Sequence, residues 1–160
     1  MIMTETGSAL ERFCRWGWRW KTHPNPCSRD IGLFLLRITC GGTMAIQHGF
    51  GKLTSYSERA ATWADPIGVG SELSLALAIL AKFFCSIFVV FGFGTRGAAV
   101  LPAVTMFVAF FVVHSDDPFR DKELAFLYLA CFTTLAMTGA GRYSIDGWLN
   151  ARRTQDRETN

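Results

Sequence analysis

Residues 73–94 read LSLALAILAKFFCSIFVVFGFG and residues 97–114 read GAAVLPAVTMFVAFFVVH. The first stretch carries one formal charge, Lys82, and the second carries none. A helix that crosses a bilayer needs about 20 largely apolar residues, with roughly 17 as the lower limit. A helix in water shows polar side chains every third or fourth position along its solvent face, and neither stretch does. Two more runs share this character. Residues 31–51, IGLFLLRITCGGTMAIQHGFG, hold one charge, Arg37, and residues 124–141, LAFLYLACFTTLAMTGAG, hold none. Four such runs predict an all-α integral membrane protein, a four-helix bundle.

Composition agrees. Half of the 160 residues are hydrophobic and 18% are charged, against about 25% charged in a typical soluble domain. Of the charged residues, 14 fall in positions 31–140, so the ends are polar and the middle is not. Intrinsic disorder and a disulfide-stapled secreted scaffold are excluded. The first span follows about 30 polar and aromatic residues, which is unlike a cleaved signal peptide. Lys and Arg between spans set orientation. Arg12, Arg15, Arg19, Lys21, Arg29, Arg96, Arg142, Arg152, Arg153 and Arg157 fall on one side, against Lys52, Arg59, Arg120 and Lys122 on the other. Both termini are therefore expected in the cytoplasm, with the chain a multi-pass protein of the cell (inner) membrane. The same bias accounts for the net charge of +3, so no nucleic-acid partner is expected.

The organisation predicted is a cytoplasmic N-terminal segment over 1–30, a membrane domain over 31–148 and a cytoplasmic tail over 149–160. Within the first, residues 8–22 read as an amphipathic helix lying in the membrane surface. Ser8 and Glu11 have capping-box spacing, and Leu10, Phe13, Gly17 and Trp20 share a side apart from Arg12, Arg15 and Arg19. It reads as a simple interfacial anchor or as a docking platform. The final ten residues read as a solvated tail.

Cys14, Cys27, Cys40, Cys85 and Cys131 form no CxxC and none lies in an outward loop. Thiol exchange on the oxidising side needs an exposed pair, so this chain does not perform it alone. Cys40, Cys85 and Cys131 read as packing residues. The three histidines lack ligand spacing on any one helix, so no metal is expected.

Charges at membrane depth are costly and are candidate sites. At the outer helix ends lie His48 and Lys52, one turn apart, with Glu72, His114, Asp116, Asp117 and Glu123 at the same depth. A water-satisfied ring of boundary charges explains these groups as well as a site does. Deeper lies Arg37, about 9 Å along its helix, sharing a face with His48. Lys82 sits about 15 Å beyond Glu72, near the middle of a hydrocarbon core about 30 Å thick. No acidic residue lies at a depth to pair with it, so Lys82 is expected to point inward.

The pieces LLRITCGGTMAIQHGFGKL (35–53), FFCSIFVVFGFGTRGAA (83–99), TMFVAFFVVHSDDPFRDKELAFLYL (105–129) and GAGRYSIDGW (139–148) together resemble the DoxX family of small four-helix membrane proteins. The resemblance covers roughly residues 31–148. It marks Arg96, Arg142, Tyr143 and Asp146 as a cytoplasmic-end family motif. Where many relatives carry Glu before the aromatic and Gly-rich stretch of the second helix, this chain has Lys82. The resemblance implies a membrane subunit, in some relatives part of thiosulfate:quinone oxidoreductase or of assemblies for sulfur handling and oxidative-stress defence.

The reading that follows is a membrane subunit of a redox-linked complex, binding a quinone or a small sulfur compound between its helices. Ligand-binding or proton-handling candidates are His48, Lys52, Glu72, His114, Glu123, Arg37 and Lys82. An apolar bundle with few convergent polar groups suits a quinone ring, and histidine can carry protons at physiological pH. No nucleophile or redox centre is visible, so electrons would come from a soluble oxidoreductase or sulfurtransferase partner. The lipid bilayer is the other partner, and a homo-oligomer is compatible with the pattern. The rival readings are a non-catalytic assembly or anchoring protein, and a small-solute transporter using Lys82 and a kink at Pro102.

Overall fold

The computed structural model of the protein describes residues 26–66 and 68–158, and the regular elements among them are all helical. The surface helix expected over 8–22 lies outside these residues. Helix α1 starts as Pro26–Thr43, continues through the wide π-helical turns of Met44–Phe50 and ends with Gly51–Thr54. A single turn, α2 (Tyr56–Arg59), leads into the loop before α3 (Ser71–Phe91). Then come α4 (Thr95–Val113), α5 (Phe119–Thr138) and α6 (Ile145–Glu158). Helix α1 packs on α3, α3 on α4, and α4 on α5 along much of its length, while α5 returns to α1.

Two helices, α3 with 21 residues and α4 with 19, are long and apolar enough to cross a membrane. The other long helices are more mixed. α1 carries Asp30 and Arg37 in its first half, and α5 opens with Arg120, Asp121, Lys122 and Glu123. The charge-free run at 124–141 also outlasts its helix, because α5 stops at Thr138 and Gly139 turns with φ 83°. The segment 151–158, expected to be a solvated tail, continues as helix in α6, where the Arg152 guanidinium lies 3.7 Å from the Trp148 ring centroid.

Side-chain size is distributed inside out. The core holds Met44, Val89, Ala99, Met106, Phe132 and Leu135, and a second cluster joins Ala60, Leu75 and Ile79. Meanwhile Leu73, Leu80, Phe84, Phe88 and Phe91 of α3 are exposed, as are Val100, Phe107 and Phe111 of α4. Continuous apolar surface of this kind is a liability in water and the ordinary exterior of a protein in lipid.

Lipid tails supply no hydrophobic drive between helices, so close backbone approach must hold them together. Small residues in α1 provide it. A Cβ on Gly41 would lie 2.8 Å from Val90 Cγ2 and 2.9 Å from the Ser86 carbonyl, and one on Gly49 would lie 2.8 Å from the Lys82 carbonyl. Both contacts press α1 onto α3. Gly49→Ala is therefore expected to force the two backbones apart and destabilise the detergent-solubilised protein by about 1–3 kcal/mol, the usual cost of overpacking. Gly51→Ala, with nothing within 4 Å of its new methyl, should leave the thermal unfolding curve in place.

Candidate functional site

A cavity of about 500 Å³ opens between α1, α3 and α4, capped by the loop that follows α2. Its walls are mostly aliphatic, including Leu77, Leu101, Val104 and Val108. Three basic side chains reach it from separate elements: Lys52 from the end of α1, Lys82 from the middle of α3, and His114 from the residue after α4. Lys82 falls within the π-helical stretch Leu80–Cys85, and the π-helical stretch Ala109–Val113 leads directly to His114. Wide turns of this type shift the register of one helix face and recur at functional sites.

The three groups differ in what they already touch. Lys52 Nζ donates to the His48 carbonyl at 3.0 Å and lies 5.6 Å from the Trp63 ring centroid. His114 Nδ1 is 2.6 Å from Asp117 Oδ2, a contact that orients the ring. Lys122 donates to the His114 and Ser115 carbonyls and so closes the turn around that pair. Lys82, half buried, has no hydrogen-bond or ion-pair partner among the described residues. Its half-buried ammonium lines the cavity without a hydrogen-bonding protein acceptor among the described residues, and the cavity is where an acceptor would enter.

The remaining candidates lie elsewhere. His48 turns toward α5, its ring edge-on to Tyr128 at 5.6 Å. Glu72, in the first turn of α3, and Glu123, one turn into α5, are exposed and do not line the cavity. Arg37 is buried at the opposite end, donating to the carbonyls of Tyr143 and Val90. Arg96, Arg142 and Asp146 line a second, more polar cleft at that end, while Tyr143 is exposed beside it. The Tyr143 phenol lies 3.8 Å from the Cys27 thiol, a contact that raises it above its ordinary value. Among the described residues, no His, Cys, Asp and Glu grouping could hold a metal ion.

Sequence reasoning missed the loop over the cavity. Trp63 and Pro66 line it, and Asp65 between them acts as a latch. Its carboxylate accepts the Val69 and Gly70 N–H groups at 3.0 and 2.6 Å and the Ser74 hydroxyl at 2.7 Å. An Asp a few residues ahead of a glycine and a helix start was the available signal.

With this geometry in view, comparison with known proteins is informative. The DoxX family profile matches residues 32–115. The chain belongs to the DoxX family. It is 32% identical over 127 residues to "Inner membrane protein YqjF" of Escherichia coli, a match covering 77% of this chain and 95% of that one. It is 30% identical over 120 residues to "Putative oxidoreductase CatD" of Bacillus subtilis, covering 74% of this chain and 87% of that protein. No solved structure matches significantly. The DoxX match takes in Lys52, Lys82 and His114 together, so the cavity lies within the family region of this membrane protein, whereas α5 and α6 extend past it.

The Asp65 latch gives a pH expectation. Hydrogen bonds from Ser74, Gly70 and Val69 hold its carboxyl below the ordinary 3.8. A depressed folded value means the stabilisation is complete above the unfolded value and is lost as pH falls through the folded one. Amide exchange at Val69 and Gly70 should thus be slow at neutral pH once corrected for intrinsic rate, and should lose protection below about pH 3.8. Asp65→Asn should show the weakened protection already at pH 7.

Proposed function

We propose that the protein is the membrane subunit of a redox-linked assembly, with a quinone-type ligand seated in the cavity between α1, α3 and α4. The observation that carries this is Lys82: an unpartnered ammonium facing an apolar cavity of about 500 Å³. Ligand sites for flat organic molecules have this volume and this balance of apolar wall and few polar groups. A small hydrophilic sulfur anion would leave the aliphatic walls unused, so the lining favours a ring with carbonyl oxygens.

The residues divide the work by chemistry. Lys82 Nζ donates to one ring oxygen at the inner end. Trp63 offers a flat apolar surface, while Lys52 keeps the mouth positive. A quinone becomes a quinol by taking up two electrons and two protons. His114, held through Nδ1 by Asp117, keeps Nε2 available to pass protons between bulk water and the cavity mouth. In this reading the electrons come from a soluble oxidoreductase partner. The relative named as an oxidoreductase supports the redox assignment, and the one named as an inner membrane protein supports the location. In this reading all four long helices cross the bilayer and both termini face the cytoplasm, as the ten-to-four distribution of Lys and Arg requires.

Quenching of tryptophan fluorescence by decylubiquinone, with Trp63→Phe as reference, tests the proposal on the purified full chain. Saturable quenching that depends on Trp63 is expected, with affinity falling about tenfold or more in Lys82→Met, the loss of one charge-assisted hydrogen bond. Lys82→Arg should keep most of it. Equal affinity in the wild type and Lys82→Met, or no saturable quenching, would overturn the quinone reading and leave the anchoring reading in its place.

A further inference from the structure

We infer that the cleft at the opposite end of the molecule is a binding site for a phosphate-type oxyanion that also carries a hydrogen-bond donor. This open cleft, about 720 Å³, lies where α1 begins, α4 begins, α5 ends and α6 begins. Four arginines line it: Arg29, Arg96, Arg142 and Arg153. Four exposed guanidinium groups around one cleft concentrate positive charge there, and among the described residues only Arg29 has a carboxylate within ion-pair distance.

Two carboxylates share the cleft, and of the four arginines only Arg29 lies within ion-pair distance of either among the described residues. Asp146 spends both oxygens on backbone, accepting the Gly94 N–H at 2.8 Å and the Thr95 N–H at 2.9 Å. Asp30 Oδ1 accepts the Arg142 backbone N–H at 3.3 Å and lies 3.9 Å from Arg29 Nη2. The side chains of Arg96, Arg142 and Arg153 have no carboxylate within ion-pair distance among the described residues. Arg96 instead lies over Gly139, where a Cβ would come within 3.2 Å of its Nε. Glycine at that place leaves room for the guanidinium beside the cleft.

Two unsatisfied atoms define the ligand further. Thr95 Oγ1 and Asp30 Oδ2 both belong to cleft-lining residues, are fully buried, and have no partner. Buried polar atoms left alone are costly, so their presence together in one charged cleft marks a place a ligand completes. Thr95 can donate to an anionic oxygen. Asp30 Oδ2 can only accept, and it would repel a bare anion. The ligand must therefore bring a hydroxyl or ammonium beside its phosphate. Phospholipid headgroups have this chemistry, as does a singly protonated free phosphate, and planar guanidinium forks suit either.

The site is tested on the full chain, delipidated in detergent, with two separate probes: phosphatidylglycerol followed by native mass spectrometry, and inorganic phosphate followed by calorimetry. One phosphatidylglycerol per chain is expected, with affinity reduced about tenfold or more in the double variant Arg96→Gln/Arg142→Gln. Arg152→Gln, outside the cleft and stacked on Trp148, should bind as the wild type does. Lipid binding without phosphate binding assigns the site to a membrane headgroup. Phosphate binding that the same double variant loses assigns it to a free oxyanion. Where the double variant loses helicity, Arg153→Gln on the exposed α6 carries the same comparison. Equal binding by the wild type and the cleft variants, or binding of neither probe, would overturn the inference.

Discussion

The end of the molecule where α3 turns into α4 is organised around one buried charge. Arg37 is 1% exposed, and its guanidinium donates to two backbone carbonyls, Val90 at the end of α3 and Tyr143 before α6. It passes directly over Gly92, where a Cβ would lie 2.0 Å from Nη1, and where φ is 70°. Any other residue at 92 would meet both a strained backbone and the guanidinium. Asp146 then closes the arrangement: its N–H donates to the Gly92 carbonyl, and its carboxylate caps the start of α4. One cation thus joins α1, the α3–α4 turn and the segment before α6. Carbonyl partners make this a directional lock in which Arg37 is not itself paired with a carboxylate, and the Asp146 charge nearby offsets part of the cost.

A fixed end leaves the other free to be adapted. The Gly49 contact sets α1 against the Lys82 carbonyl, and the π-helical turns of α1 and α3 meet at this depth. Backbone-to-backbone packing at this depth leaves the Lys82 side chain to line the cavity that Lys52 of α1 and the residues of α4 also line. The cavity is thus a by-product of how tightly α1 and α3 close, and the loop latched by Asp65 covers its mouth. Packing and site meet at Gly49, whose close approach is to the Lys82 backbone.

Much of this was legible in the residues. Length and apolarity marked the helices, and depth alone singled out Lys82, because a charge ten residues past Glu72 has no short route to water. Other features depend on partners remote in sequence. Arg37 reads equally well as a snorkelling residue until the Tyr143 carbonyl, 106 positions away, is brought to it. Asp30 looks like one more terminal charge, yet it is 1% exposed because the turn at 141–142 folds over it. The π-helical stretches have no composition signature, since they come from one extra residue per turn rather than from a residue type. His48 was placed with Lys52 by helical spacing, but the wide turns rotate its ring toward Tyr128 instead.

The two ends use different cations, and the difference follows from their solvents. Lysine carries a compact charge on a flexible apolar stem, so Lys52 and Lys82 can line an aliphatic cavity while offering a single donor to an entering oxygen. Arginine presents a rigid plane of several donors, which suits polar clefts where carbonyls and oxyanions approach in fixed directions. Arg37, Arg96 and Arg142 sit where backbone turns supply such directions, and among the described residues no arginine lines the apolar cavity. An apolar ligand with one or two acceptor atoms matches the first environment, and a headgroup with several oxygens matches the second. In the proposed reading, that separation would keep each ligand class from competing for the other's cations, so that one small helical chain could hold an organic ring and a charged group at once.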